Sequence, residues 1–243
     1  MTDLRYAIRQ LLARPGYTLI AVLTLTLGIG ATTTIFSVVD HLMLDTLPFP
    51  EPDRIVTVRQ LDARTGDAGA LAPGNFLDLA ERNSAFAHVG AADPYSYDLS
   101  GEGRPEVLLS SRVTEGFFPA LGARPHLGRL LQREDFRVQA AGVVVLSHGL
   151  WQRRFGGDPA IIDRPIVLDG TPMVVVGILQ EDFDIGLGYT HSRREVWVPW
   201  IMAGWEPNAR SGGWWEVVGR TREGVDVAGA GADLDRVATM LAT

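Results

Sequence analysis

Hydrophobic and polar positions change rhythm sharply along this chain. From Tyr17 to Val39 it reads YTLIAVLTLTLGIGATTTIFSVV, 23 residues without a formal charge. A helix rising about 1.5 Å per residue carries such a run about 34 Å, enough for a hydrocarbon core of about 30 Å. A buried core helix is usually shorter and has charged neighbours within a turn or two. A cleaved signal peptide has an apolar run of about 7–15 residues and a small-residue cleavage site. Ile35-Phe36-Ser37-Val38-Val39 is no such site. The pattern predicts an uncleaved transmembrane helix at 17–39. Later apolar runs, around Val143–Leu146 and Met173–Leu179, are strand-sized, so one span is expected.

Beyond the span the pattern breaks into short elements. Leu47-Pro48-Phe49-Pro50-Glu51-Pro52 cannot continue a helix and ends a stalk at 40–52. Strands are predicted at Ile55–Gln60, Val89–Leu99, Glu106–Val113, Val143–Leu146, Ile166–Leu168, Met173–Leu179, Glu195–Trp200 and Trp214–Arg220. Asp62–Gly74 and Ala203–Gly213 read as loops. Asn75 is the expected cap of a helix over Phe76, Leu79 and Ala80, and Thr114 of a short helix through Phe117, Phe118 and Leu121 that Gly122 closes. Ser147 caps His148–Phe155, which ends at Gly156-Gly157, and Val225–Leu241 is a final helix. Asp169-Gly170 is a hairpin turn signal. Helices and strands mix without strict alternation, the mark of an α+β domain.

Charge gives the orientation. Arg5, Arg9 and Arg14 face a single Asp3 before the span, whereas Asp40, Asp45, Glu51 and Asp53 precede Arg54 after it. The positive side stays in the cytoplasm, so the N-terminus is inside and the main domain outside. Leu4, Ile8, Leu11 and Leu12 share a helical face, which suits an amphipathic segment at 1–16 on the membrane surface before Pro15-Gly16 turns inward; an ordinary extension of the span is the alternative. Gly28, Gly30 and Ala31 are small enough for close helix packing in a membrane bundle.

Composition removes several chemistries. All 22 basic residues are Arg, which excludes the Lys of a phosphate-binding P-loop and Schiff-base catalysis. With no Cys there is no thiol nucleophile, Cys-based zinc site or disulfide. A net charge of −7 argues against a general nucleic-acid surface. His41, His88, His126, His148 and His191 show no paired ligand spacing, so neither a metal nor any other cofactor is expected. Ser147-His148 lacks a nucleophile elbow. Glu134-Asp135 and Glu181-Asp182 have no partner group for acid–base work and read, like Arg153-Arg154 and Arg193-Arg194, as solvated charges. No catalytic residue is expected. All six Trp fall between Trp151 and Trp215. Trp151 and Trp197 are expected to pack one small core, whereas Trp205, Trp214 and Trp215 flank a Gly-rich loop and are candidates for a partner surface.

The segment LRYAIRQLLARPGYTLIAVLTLTLGIGATTTIFSVVD, followed by LPFPEPDRIV, resembles the N-terminal part of macrolide-exporter-type (MacB-like) ABC transporter permeases, above all the branch with a duplicated permease unit. The likeness continues through FFPALGARPHLGR, VVVLSHGLWQRRFGGDP, MVVVGILQEDF and VWVPW in one order. The resemblance implies a membrane helix followed by a bipartite periplasmic core domain at 53–243. Residues 53–122 with 211–243 would form a porter-like α/β part, and 123–210 a smaller inserted α+β part. It also implies an ABC-type ATPase subunit, further permease helices with an FtsX-like region that this sequence does not contain, and a homo- or pseudo-dimer. The setting would be the bacterial inner membrane, and the work coupling ATP-driven helix movement to export. The alternative is a stand-alone anchored binding or adaptor module, and on this sequence alone the chain is expected not to transport unaided.

Overall fold

The structure is a computed structural model. It describes residues 49–61, 66–101, 103–183, 193–202, 204–211 and 213–241, with isolated positions at 16, 24 and 26. The expected span at 17–39, including Gly28, Gly30 and Ala31, therefore lies outside the described residues apart from Thr24 and Thr26. Gly16 is helical, not in the expected turn. Among the described residues, no helix is long and apolar enough to cross a membrane. The unit from Pro48 onward is considered by itself.

Its strands are β1 (Ile55–Val58), β2 (Gln60–Leu61), β3 (Ala68–Gly69), β4 (Phe86–Ser100), β5 (Glu106–Val113), β6 (Pro125–Gly128), β7 (Val143–Leu146), β8 (Pro165–Leu168), β9 (Thr171–Leu179), β10 (Val196–Pro199) and β11 (Glu216–Thr221). Helices α1 (Pro73–Arg82), α2 (Phe117–Leu121), α3 (His148–Phe155) and α4 (Val227–Leu241) complete a mixed α+β fold. Nine strands form one sheet in the order β1-β11-β4-β5-β10-β7-β9-β6, with β8 pairing both β4 and β9. That double pairing closes β4, β5, β10, β7, β9 and β8 into a ring. The hairpin between β8 and β9 turns at Asp169 and Gly170, both at positive φ (48° and 74°), the geometry that this dipeptide favours.

Two hydrophobic cores lie along this sheet. The first gathers Val58, Leu71, Phe76, Leu79, Phe86, Ala91, Trp200, Trp215, Val217 and Ala230, so α1 and α4 cover it. The second gathers Leu99, Leu108, Val144, Leu146, Leu150, Trp151, Ile166, Leu168, Val175, Ile178, Val196 and Val198 within the strand ring. Leu99 and Leu108 thus leave the 53–122 segment for the second core, and Trp200 leaves 123–210 for the first. Strand β4, at 15 residues, runs through both. On its reverse face Gly90 lets α2 approach closely, since a Cβ there would meet the Phe117 backbone at 2.2 Å.

Local signals mostly set the elements, with two reassignments. Ser147 accepts a hydrogen bond from the Leu150 amide at 3.0 Å, as a cap should. Helix α1, in contrast, starts at Pro73 after Ala72, and the Asn75 side chain donates to Gln60 Oε1 at 2.8 Å instead of capping. The Thr114 hydroxyl accepts from the Ala91 amide at 2.8 Å, tying β4 to the loop before α2 rather than capping that helix. In both cases a partner distant in sequence, the Gln60 side-chain oxygen or the buried Ala91 amide, takes the group that a local cap would use.

Candidate functional site

The stretch of β4 between the two cores carries the most unusual chemistry. Side chains alternate along a strand, so Ala91, Asp93, Tyr95, Tyr97 and Leu99 share one face. Ala91 belongs to the first core and Leu99 to the second, which leaves Asp93, Tyr95 and Tyr97 bridging them. Register places Arg112 of β5 opposite Asp93. The Arg112 guanidinium donates from Nε to Asp93 Oδ2 at 2.8 Å, and its Nη2 forms an ion pair with the same carboxylate.

Aromatic rings continue from this pair in both directions. Arg112 lies 4.9 Å from the Tyr95 ring and 4.6 Å from Trp200. Tyr95 contacts Tyr97 at 4.7 Å between centroids, and Tyr97 packs against the second core. On the other side Trp200 packs on Trp215 at 3.7 Å between centroids with a 48° tilt, and Trp215 meets Phe76 of α1 at 5.4 Å. The result is a ladder of rings with one cation in it, reaching from one core into the other. Each cation–ring contact contributes about 0.5–1 kcal/mol when partly exposed.

Electrostatics at the ladder reflect its burial. Asp93 is only 3% exposed. Burial pushes its carboxyl above the ordinary value, against hydrogen bonds from Arg112 and Trp214 and the Arg112 charge that pull it down. Burial likewise pushes the Tyr97 phenol up to about 12, so it stays a neutral donor. These groups can hold two structural parts in register. Among the described residues, no group of three or more His, Asp and Glu side chains could hold a metal ion.

The aromatic candidates divide. Trp205 and Trp214 are 62% and 39% exposed, with ring centroids 5.8 Å apart, so they form one surface feature beside the ladder. Trp215 is fully buried and is corrected from surface to core. The reason is geometric. Consecutive residues leading into β11 face opposite ways, and Trp215 bridges Leu71 on the core side. Trp151 and Trp197 do not share a core either. Trp151 lies in the second core, whereas Trp197 packs on the reverse face of the sheet with Phe118 and Phe183.

The other charged candidates have structural partners or face solvent. Asp135 receives Arg129 Nη1 at 2.6 Å and the Gln132 amide at 2.7 Å. Arg153 joins Glu106 and Glu195 at 2.6 and 2.7 Å, and Glu181 and Asp182 are exposed. Sequence reading missed Asp93 and Arg112. The signal was an acidic residue inside an otherwise alternating strand run, but its partner depends on a cross-strand register.

A family model described as the MacB-like periplasmic core domain matches residues 18–237. No curated protein matches the sequence. Three solved structures share the fold. The periplasmic region of MacB from Actinobacillus actinomycetemcomitans is 17% identical, with TM-score 0.55 over 77% of this chain and 82% of that one. A domain of a putative permease protein from Porphyromonas gingivalis is 14% identical, with TM-score 0.58 over 79% and 86%. The extracellular domain of the noncanonic ABC-type transporter YknZ from Gram-positive bacteria is 14% identical, with TM-score 0.54 over 77% and 94%.

Proposed function

Because the chain belongs to the MacB-like periplasmic core domain family, we propose that it is the extracytoplasmic core of an ABC transporter permease, relaying movement between membrane helices and the domain surface. In this reading residues 17–39 cross the bacterial inner membrane with the N-terminus in the cytoplasm. An ABC-type ATPase subunit supplies the energy, and further permease helices pack on Gly28, Gly30 and Ala31. The porter-like part corresponds to the first core and the inserted part to the second.

The observation that carries this reading is the ladder from Phe76 through Trp215, Trp200, Arg112 and Tyr95 to Tyr97. It couples the two cores by side chains as well as by shared strands. The end of the stalk is tied to the same sheet. Phe49 is buried against Phe183, which packs on Trp197 of β10, and Glu51 pairs with Arg54, which donates to the Thr221 carbonyl of β11 at 2.7 Å. A pull on the stalk therefore reaches β11, which lies between β1 and β4. The exposed Trp205–Trp214 pair is the partner surface beside this path.

The test is ATP hydrolysis by the reconstituted permease with its ATPase subunit. Arg112→Met should reduce stimulated hydrolysis while assembly persists. Unchanged stimulation in that variant would remove the ladder from the coupling path. A reporter fused after residue 60 should be active only outside the cytoplasm, and cytoplasmic activity would overturn the topology.

A further inference from the structure

The five histidines are scattered in sequence, but two of them meet in space. His126 on β6 and His148, the first residue of α3, bring their rings to 4.9 Å between centroids at an interplanar angle of 78°. Both lie beside Trp151, at 5.4 and 5.3 Å. His126 is exposed and His148 half-buried. Among the described residues, neither imidazole has a hydrogen-bond or ion-pair partner. Two imidazole rings this close, reachable from solvent and without polar partners, are available as ligands.

We propose that His126 and His148 form a two-imidazole site for a divalent transition-metal ion of the Ni2+, Cu2+ and Zn2+ class. A ring nitrogen bonds such an ion at about 2.0–2.1 Å, which puts each ring centroid about 3.2 Å from it. For bond angles of about 90–110°, the two centroids then stand about 4.5–5.2 Å apart. The observed 4.9 Å lies inside that interval. Imidazole suits all three ions, and water completes the coordination. Two protein ligands make a reversible site rather than a structural one. A bound ion would add a coordinate link between β6, whose strand partner is β9, and α3, which already meet through the His126–Trp151 ring contact.

Trp151 supplies the readout, because an open-shell ion a few ångströms from its indole quenches fluorescence. The full chain, without a polyhistidine tag, is titrated with NiCl2. A saturable quench with one Ni2+ per chain is expected, weakened at least about tenfold in both His126→Gln and His148→Gln and retained in His88→Gln. His126 is on an exposed edge strand, so His126→Gln should melt with the wild type in chelator. ZnCl2, which does not quench, should raise the melting temperature of the wild type and of neither variant of the pair. Saturable Ni2+ binding that survives both substitutions, or no saturable binding below about 1 mM, would overturn the proposal.

Discussion

The first core is covered by helices from distant parts of the chain, whereas the second is enclosed mostly by strands from one contiguous stretch. Helix α4 reaches the first core across a separation of 149 residues and is fastened there chiefly by one carboxylate, with Arg236 also donating to the Arg82 carbonyl at 2.9 Å. Asp233 accepts from the Ser84 amide at 2.7 Å, the Ser84 hydroxyl at 2.7 Å, the Ala85 amide at 3.0 Å and Arg236 Nη2 at 2.6 Å. The ring around the second core needs no such fastening, because backbone ladders close it. The contrast teaches that the helix-covered core depends on a few polar contacts and large rings, and the ring-bound core on register.

Breaking the first core at its centre should have the largest effect. Trp215→Ala removes a fully buried ring and should cost about 3–5 kcal/mol in urea unfolding. Trp205→Ala, ten positions earlier but 62% exposed, should cost less than about 0.5 kcal/mol. Equal costs would erase the distinction between core and surface tryptophans.

Next comes the fastening of α4. Asp233→Ala leaves the Ser84 and Ala85 amides without their acceptor and should cost about 2–4 kcal/mol. Burial raises the Asp233 carboxyl, but hydrogen bonds from Ser84, Arg236 and Ala85 outweigh it and hold the group well below the usual range. A depressed folded value stabilises above the unfolded value of about 3.9 and is lost as pH falls through the folded one. Acid unfolding of the wild type should therefore steepen below about pH 4, and Asp233→Asn should remove that part of the slope.

The junction between the cores should respond more modestly. Arg112→Met strands a buried carboxylate, but Arg112 is 31% exposed, so about 1–2 kcal/mol is expected. That penalty should shrink as pH is lowered, because a protonated Asp93 needs no counter-charge. Adding Asp93→Asn should recover part of it in a double-mutant cycle. Ser147→Ala, in the second region, should cost about 1 kcal/mol for a lost cap, with the ring intact by circular dichroism.

The second region was also the more legible in sequence. Val143–Leu146, the Ser147 cap and the helix to Phe155 fall where apolar run, hydroxyl and glycines put them, because each signal acts within a few residues. The first region hides its logic in distant contacts. Asn75 looked like a cap, yet Gln60 takes its side chain. Trp215 sits beside exposed Trp214, and only the strand's alternation separates their fates. Strand β6, between Pro125 and Gly128, has no alternating pattern and exists because β9 offers an edge. At the candidate site the tryptophans were visible as a cluster, but the Asp93–Arg112 pair that organises them depends on a register that composition does not carry.

Closing six strands into a ring has a consequence for solubility. A strand at a sheet edge is a template for another chain, and long flat edges invite aggregation. In the nine-stranded sheet only β1 and β6 are left at the ends, each four residues long. One of them starts with Pro125, which has no amide hydrogen to offer, and its register with β9 is irregular. Among the described residues, this nine-stranded sheet thus presents almost no continuous edge on which a second copy could nucleate cross-strand growth.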